Sequence, residues 1–520
     1  MWLLFTALAS AEVPAPTGAD TLERTPRSDA WDVTGLARAR HDRLRLSAVD
    51  ALGTAPDVED WTSGRVNARA AWTPASWSVR LGAEAMTGGW AGDTTALGTA
   101  ATDRPAPHVR YGERGRAVFL REAQAAYRGQ RLQAQAGRTS FLWGTGMLAN
   151  DGGFAGQSDD AGFGGQDFGD PWSGSVVDRV ALSVTPWRPD EDAGARRGLG
   201  AIVALDRVVR DDQMDRQSGD RAVAVVSGVR WRLQRAELGG LVVRRWQQDA
   251  DAPTPIGAST PPDWTTRVLP VDVWGKVELT DPSGAHHVTL EGEVAWIRGE
   301  TTRIQVPETW SAPADVRSLG ALARVRTDHD PQRLSTRLDV LYASGDNDPR
   351  DGVVRTFAFH TDHNVGMLLF EHVMPLLTAR SADRVADPAL LAVVPEGVRH
   401  TINPGAFTNA LAVNPVLRWR PIDTLDVRLG WLAARGAGDV VDVYHSALQG
   451  GYNRTYGDGD PDSRGLGHEL DLAVSWTAIL PGDVSITPGI EAAILRPGSA
   501  LSALELGTPA LLRGGVDFRW

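Results

Sequence analysis

The segment Pro509–Trp520, which reads Pro-Ala-Leu-Leu-Arg-Gly-Gly-Val-Asp-Phe-Arg-Trp, alternates between two kinds of side chain. One side of an extended chain would carry Ala510, Leu512, Gly514, Val516, Phe518 and Trp520. The other side would carry Arg513, Gly515, Asp517 and Arg519. A period of two indicates a β-strand with one apolar face and one polar face.

The same alternation recurs along most of the chain, in segments of about ten residues, a length that suits a tilted strand crossing a bilayer. The weakest of these segments are Leu44–Val49 and Val66–Trp72. Hydrophobic residues make up only 42% of the chain, and no apolar run is long enough for a membrane helix. We therefore predict an all-β protein, a single closed antiparallel transmembrane β-barrel of about 18 strands, within a range of 16–18.

The connections between the predicted strands alternate in length. Short ones contain Pro, Gly or Asp, as in Thr73–Ser76 and Pro481–Asp483. Long ones cover roughly 88–116, 139–175, 248–266, 299–316, 345–409 and 437–466. Short periplasmic turns and long extracellular loops are typical of barrels in the bacterial outer membrane, which is the predicted location.

The N-terminal region predicts export. Residues 1–11 end in Ala9-Ser10-Ala11, a small-x-small pattern behind a short apolar stretch, and are interpreted as a signal peptide. Residues 12–40 are mostly polar or small and are interpreted as a periplasmic tail. The barrel is then expected over residues 41–520.

Composition narrows the function. The net charge of −12 argues against nucleic acid as a partner. Cysteine is absent, which excludes disulfides, thiol nucleophiles and thiolate metal sites. Neither a nucleophile elbow nor a zincin motif is present, so we predict no catalytic residues, no cofactor and no metal site.

The polar faces of the predicted strands define a candidate inner wall. Its predicted pore-lining residues are Arg324, Arg326, Arg333, Arg337, Asp339, Arg418, Arg420, Asp426, Arg428, Arg80, Glu84, Arg513 and Asp517. Further counter-charges are expected at Glu291, Glu293, Glu469, Asp471 and Glu491. Two interpretations remain open: an arginine-rich track that attracts anionic solutes, or arginines and acids that only pair across the lumen and make the barrel rigid.

Tryptophan is abundant, with 19 residues, and it concentrates at membrane–water interfaces. The predicted interface anchors are Trp72, Trp77, Trp187, Trp419, Trp431, Trp476 and Trp520. Together they favour a girdle that contacts the lipid bilayer and lipopolysaccharide.

Several loop motifs carry weaker signals. The acidic, Gly-rich loop from Asp151 to Ser175 could fold inward and narrow the pore or remain an outer loop. Asp458, Asp460, Asp462 and Glu469 mimic the spacing of a calcium loop, but Ser463 replaces the required Gly. His360, His363 and His372 are interpreted as packing residues, and Trp143-Gly144-Thr145-Gly146 as a turn.

Two stretches resemble the alginate-export family of outer-membrane channels. The first joins Leu120–Tyr127 to Gly137–Gly144, and the second is Tyr342–Asp346 with Thr356, Phe357, His363 and Gly366 following. This resemblance implies an 18-stranded monomeric barrel with an electropositive lumen that passes an anionic polysaccharide. The end Phe518-Arg519-Trp520 resembles the aromatic terminus that outer-membrane assembly machinery recognises.

The predicted function is an outer-membrane channel, a porin that passes small or polymeric hydrophilic solutes, with selection for anions by the arginine wall. Two alternatives belong to other classes: a barrel enzyme of the lipase or protease type, and a closed structural or adhesive barrel. Ion conductance across a bilayer distinguishes a channel from both.

Overall fold

The computed structural model describes residues 28–98, 118–154, 168–169, 171–187, 198–216, 219–250, 264–280, 286–302, 313–329, 333–348, 350–392, 403, 405–482 and 484–520. The proposed signal peptide and residues 12–27 lie outside the described residues, as does much of the acidic loop after residue 154.

Eighteen long strands form one antiparallel sheet. Labelled β1 to β18 in chain order, they span Ser28–Arg45, Asp60–Thr73, Trp77–Gly92, Phe119–Arg128, Leu132–Ser140, Val176–Trp187, Gly198–Asp211, Arg221–Arg232, Ala236–Asp249, Trp264–Thr280, His286–Thr301, Ala314–His329, Leu334–Ala343, Ala410–Ile422, Leu425–Gly436, Gly465–Trp476, Val484–Pro497 and Ala510–Arg519. Three short strands, Met214–Asp215, Val353–Val354 and Ala478–Leu480, add local pairings.

The sheet closes on itself. Each long strand pairs with its neighbours in sequence, and β1 pairs with both β2 and β18. Connections such as 74–76 and 423–424 lie at one rim, and the long ones such as 344–409 and 437–464 lie at the other. The predicted barrel, its strand number and the alternation of loop lengths are confirmed.

Alternating exposure shows which way the side chains point. In β15, Leu429 and Trp431 are exposed, whereas Arg428 and Leu432 are fully buried. In β18, Leu512, Val516 and Phe518 are exposed, whereas Leu511, Arg513 and Asp517 are buried. The apolar face of each strand therefore points outward, as the period of two predicts.

The seam between β1 and β18 is closed by Trp520. The backbone N–H of Gly35 donates to the carbonyl of Trp520 at 2.8 Å, and the Trp520 N–H donates back at 3.2 Å. The Trp520 ring lies directly over Gly35, where a Cβ atom would collide with it. A residue without a side chain is thus required at this point of the seam.

The start of the barrel differs from the prediction. The first strand begins at Ser28, inside the segment interpreted as a periplasmic tail, and ends at Arg45, so Leu44–Val49 is not its location. Its outward positions include Gly35, Ala37 and Ala39. These small residues produce a weak apolar signal, which is why the alternation in this strand was missed.

The interior contains a second, apolar layer near the long-loop rim. Segments 141–154, 171–175 and 356–386, which we call the plug, fold into the barrel. Plug residues such as Phe357, Leu369 and Leu377 pack on buried wall residues that include Leu341, Leu432 and Leu495. The half of the interior near the short turns is instead lined largely by charged and amide side chains, so the wall changes character along the barrel axis.

Among the described residues, two helices occur in the long loops. Helix α1, Met374–Ala386, follows a π-helical turn at Leu369–Val373, and helix α2 spans Val443–Leu448. A 3₁₀ turn covers Ser499–Leu501. Among the described residues, no helix combines the length and apolarity needed to cross a membrane.

The wall is closed, its outer face is apolar, and most of its inward charged groups are paired. It therefore meets the requirements for a β-sheet that crosses a lipid bilayer. The architecture, with short turns at one rim and long loops at the other, is that of a bacterial outer-membrane β-barrel. Because short turns face the periplasm in such barrels, the long-loop rim is the extracellular one.

We predict that Gly35→Val weakens barrel closure. The added side chain would overlap the Trp520 ring, and overpacking of this kind costs about 1–3 kcal/mol of unfolding free energy. Urea unfolding in liposomes, followed by the shift between folded and unfolded bands on unheated gels, measures this cost. Gly514→Val in β18 is the matched control, because a Cβ there meets no atom within 4 Å; equal losses in both variants would contradict the seam argument.

Candidate permeation pathway and its inserted loops

Most of the predicted inner-wall residues point inward and are held in ion pairs. Arg324 makes a bidentate contact to Asp339, with both N···O distances at 2.8 Å. Arg337 lies 3.4 Å from the same carboxylate. The positive charge of Arg324 and Arg337, on β12 and β13, is therefore neutralised in part by Asp339.

A second network crosses the seam of the barrel. Arg428 contacts Glu491 at 3.1 Å, and Arg513 contacts Glu491 at 3.3 Å. Arg513 also bonds to Asp42, and Arg38 makes a bidentate contact to Asp517. All of these side chains are nearly inaccessible to solvent. These ion pairs join β15, β17, β18 and β1. The predicted residues Arg428, Arg513 and Asp517 therefore hold the strands at the seam together.

The remaining predicted wall residues of β12 to β15 lie nearer the short turns. Arg418 pairs with Asp426, and Arg326 lies 3.1 Å from Asp328. Arg333 is exposed at the start of β13 and reaches the Pro421 carbonyl at 3.5 Å, and Arg420 shares the inward face of β14 with Arg418. Glu84, on β3, accepts from Arg121 at 2.9 Å and from Arg210 at 3.0 Å.

Arg80 is the exception in this set. Among the described residues it makes no hydrogen bond and no ion pair, although it is half-buried on the inward face of β3. It lines a cavity between β2 and β5. The cavity is also lined by Arg69, Ser78, Glu122, Gln124, Ala126, Arg128, Gln133, Gln135, Thr139, Ser140, Leu142 and Phe154.

The charge in this cavity is unbalanced. Three arginines, Arg69, Arg80 and Arg128, face a single carboxylate, Glu122. Arg69 bonds to Glu122 at 2.6 Å, and the amide of Gln124 also donates to Glu122. The glutamines offer both donors and acceptors. The cavity is therefore a polar, cationic recess in the side of the barrel that the plug does not fill.

Several inward arginines were missed in the sequence. These are Arg38, Arg40, Arg65, Arg121, Arg179 and Arg210. Arg38 and Arg40 lie in the first strand, within the segment that the sequence predicts to be a tail. Inward arginines therefore also line β1 to β7, beyond the predicted quarter around β12 to β15, and Arg38, Arg121, Arg179 and Arg210 are paired with acids there.

The loop after β5 folds into the lumen and is anchored on β10 and β11. The indole N–H of Trp143 donates to Asp272 at 2.8 Å. Glu293 accepts from the backbone N–H of Thr145 at 2.5 Å and from its hydroxyl at 2.6 Å. Gly144 has φ +57° and lies against the Glu293 carboxylate, so a side chain would not fit. The predicted turn is confirmed, and it is also the anchor of a constricting loop.

The helical part of the plug is held by a wall carboxylate. Glu469 of β16 accepts from the backbone N–H groups of Met367, Leu368 and Leu369 at 2.5, 2.8 and 2.7 Å. These amides precede the helical segment, where unpaired N–H groups and the helix dipole favour a negative charge. Glu469 is therefore a capping residue on the barrel wall, and it is not part of a calcium loop.

Helix α1 connects the other loops to the plug. Arg380 lies 2.8 Å from Asp50 in the first long loop, and the N–H of Gly98 in the second donates to Asp383 at 2.6 Å. Ser381 bonds to Asp442 in the loop after β15. Burial alone would raise the pKa of Asp50, but Arg380 and hydrogen bonds from Thr54 and Leu52 lower it overall. The loops thus converge on one helix inside the barrel.

Asp362, in the loop after β13, joins the two inserted loops. We call its hydrogen bonds to residues 172–174 the latch. Its carboxylate accepts the backbone N–H groups of Trp172, Ser173 and Gly174 at 2.5, 3.0 and 2.5 Å. Burial alone would raise the pKa of Asp362, but His360 and these three donors lower it below 3.8. Burial raises the pKa of Asp212, which bonds to Thr361, in spite of nearby His360.

The histidines pack within the plug, as predicted. His360, His363 and His372 are all buried. His360 bonds to Ser175 at 3.0 Å, and His363 to the Thr145 carbonyl at 3.1 Å. Among the described residues, no group of three or more His, Asp and Glu side chains could hold a metal ion.

Exposed aromatic side chains concentrate near the short-turn rim. Trp77, Trp419 and Trp476 are about half exposed at strand ends. Trp72 stacks on Trp31 with centroids 6.1 Å apart, and Trp520 lies at the seam. Trp431 is nearer the middle of β15, stacked on His468, and the side chain of Trp187 lies outside the described residues. Anchoring in the interface remains a prediction for all seven.

Solved outer-membrane barrels resemble the whole chain at low sequence identity. OccAB1 of Acinetobacter baumannii has 9% identity and a TM-score of 0.47, with 96% of this chain and 99% of that chain covered. OccK2 (OpdF) of Pseudomonas aeruginosa has 10% identity and a TM-score of 0.46, with 94% and 97% covered. The outer membrane protein OpdK of Pseudomonas aeruginosa has 10% identity and a TM-score of 0.45, with 94% and 99% covered.

No family model matches the chain, and no curated protein matches it. The resemblance to the alginate-export family therefore remains a prediction.

We predict that Asp362→Asn loosens the latch between the loops. An amide offers one acceptor oxygen in place of two and no negative charge, so the bonds to residues 172–174 weaken by about 1–3 kcal/mol. Hydrogen exchange of these amides should rise several-fold. Asp348→Asn in the same loop is the control, because Asp348 is exposed and bonds only within its own turn; equal exchange in the two variants would contradict the latch.

The latch should also depend on pH. Because the pKa of Asp362 is lower in the fold than its ordinary value of 3.8, the stabilisation is fully present above that value and is lost as the pH falls through the lowered pKa. Protection at residues 172–174, corrected for intrinsic exchange, should therefore be constant from neutral pH to about 4 and decrease below it. A loss between pH 7 and 5 would show that another group controls the contact.

Proposed function

We propose that the protein is an outer-membrane channel for hydrophilic solutes, narrowed by the plug and selective for anions. The observation that carries this proposal is the cavity between β2 and β5, in which three arginines, Arg69, Arg80 and Arg128, share one carboxylate, Glu122. A half-buried guanidinium that shares its counter-charge in this way is costly unless water or an anion also occupies the site. Such an arrangement favours transient binding of carboxylates or phosphates.

The distribution of apolar and polar contacts inside the barrel supports a pathway along β2 to β5. Apolar plug residues pack in one cluster with residues of β11 to β18, β1 and β2, and Trp143 packs against wall residues of β6 to β9. The polar cavity lies on β2 to β5, next to plug residues Asp151 and Gly152, whose carbonyls accept from Arg121 and Arg65. The proposed passage runs along β2 to β5, beside the arginines of the cavity.

This assignment combines the two interpretations of the arginine wall. The predicted residues on β12 to β18 are mostly in ion pairs, which favours a structural role there. Arg80, with Arg69 and Arg128, keeps an excess of positive charge, which favours selection. The pore-lining role is proposed for the second group, and passage of an anionic polysaccharide would follow only if the resemblance to alginate-export channels holds.

Planar-bilayer recording tests the proposal. The purified protein should give steady ohmic current, and the reversal potential in a KCl gradient should show preference for chloride. Silence would favour the closed structural barrel or the barrel enzyme. Cation preference would contradict the role of the arginine cavity even if conductance is present.

We predict that Arg80→Gln reduces anion preference without abolishing conductance. Arg80 would lie at contact distance from a permeating ion in a water-filled passage. Removal of its charge should therefore change the ratio of chloride to potassium permeability about twofold to fivefold. Arg244→Gln is the matched control, since Arg244 is an exposed residue on the outer face of β9 beside Trp246. The same change in reversal potential for both variants would show that Arg80 does not select the ion.

A further inference from the structure

The outer surface of the barrel carries a second set of arginines, separate from the pathway. Six of them, which we call the rim arginines, are exposed and lie within four residues of the long-loop end of their strands: Arg43, Arg207, Arg221, Arg298, Arg435 and Arg496. Their neighbours on the same face are apolar, as in β8, where Arg221 is followed by exposed Val223, Val225, Val229 and Trp231. The rim arginines therefore mark the upper limit of the apolar belt.

These side chains differ from the arginines inside the barrel. In the part of the chain that the structure describes, none of the six forms a side-chain hydrogen bond or an ion pair, whereas interior arginines such as Arg324 and Arg513 are bound to carboxylates. An arginine on the lipid side of a barrel is costly at mid-membrane and tolerated near the interface. The positions of the rim arginines place their guanidinium groups at the level of the extracellular headgroups.

Positive groups also face one another across strands. Arg298 of β11 lies directly opposite Arg317 of β12, and Arg317 has Asp315 as its partner at 2.6 Å. Like charges in this position repel. An anion between the strands would remove that repulsion and supply the missing partner.

The two rims are not equivalent. At the short-turn end the outward positions are aromatic, as at Trp31, Trp77, Trp231 and Trp419, and aromatic rings suit a zwitterionic interface. At the long-loop end the outward positions carry the rim arginines, together with Trp246 and Trp296 and a smaller number of acids such as Asp60, Glu300 and Asp315. A surface with an excess of arginine toward this leaflet fits a membrane whose outer leaflet is rich in phosphate.

We propose that the rim arginines bind the phosphate groups of lipid A, the membrane anchor of lipopolysaccharide, in the outer leaflet. Guanidinium and phosphate form bidentate, charge-assisted contacts. The acyl chains of the same lipid would cover the apolar belt directly below, so one molecule matches both parts of the surface. This binding does not require the barrel to conduct.

Binding of lipid A to the full-length protein in neutral detergent tests the proposal. The probes are lipid A with both phosphates and the same lipid after enzymatic dephosphorylation, with bound lipid counted by native mass spectrometry. The wild-type protein should prefer the phosphorylated lipid about tenfold or more, because each arginine near an anionic headgroup contributes severalfold. Equal binding of the two lipids would overturn the proposal.

Variants locate the site. Arg298→Gln combined with Arg496→Gln should remove most of the preference for phosphate. Arg131→Gln combined with Arg235→Gln removes the same charge at the short-turn rim and should leave the preference intact. If both pairs reduce it equally, only net charge matters and the rim site is rejected.

A measurement on the wild-type protein covers the case in which the variants fail to fold. Exposed ion pairs weaken with salt, so raising KCl from about 50 to 500 mM should reduce the preference for phosphorylated lipid. Salt-independent preference would contradict binding through exposed arginines. Folding of every variant is checked by its heat-dependent migration on gels.

Discussion

The backbone hydrogen bond is the constraint on which this structure depends. Lipid offers no partner for N–H and C=O groups, so a β-sheet can cross it only when its two edges meet. Here they meet where β1 pairs with β18, and Gly35 and Trp520 form the end of that seam. The apolar outer face and the polar inner face follow from this closure, and the even number of strands places Ser28 and Trp520 at the same rim.

Closure of eighteen strands creates an interior too wide for wall side chains to fill. The protein fills the extracellular part with its own loops and holds them mainly through carboxylates that accept backbone N–H groups. Glu293 holds the turn at Thr145, Glu469 holds the start of the helical segment, and Asp362 joins the two loops. Most wall arginines neutralise other acids. Those between β2 and β4 keep excess charge, which gives one side of the lumen a different chemistry from the rest.

The sequence predicted the wall well because a strand has only two faces. Once Leu429 and Trp431 are assigned to lipid, Arg428 must point inward, and the same reasoning assigned Arg324 and Asp339 to the same part of the inner wall. The first strand was missed because Ala37 and Ala39 give its outer face little apolar character. An inward loop over Asp151–Ser175 was one of two alternatives, but the contacts of the plug could not be predicted, since they join backbone amides to distant carboxylates. Glu469 was identified as an inward acid, but no sequence pattern links it to Leu368.

Solvent and lipid accessibility along a single strand test the account most directly. Because the chain has no cysteine, a nitroxide label can be placed at one position at a time along β15 in lipid vesicles. Labels at Val427, Leu429 and Trp431 should collide with membrane-dissolved oxygen, and labels at Asp426, Arg428 and Gly430 should not. A smooth profile with no alternation would show that this strand does not separate lipid from an interior, and the barrel would have to be abandoned.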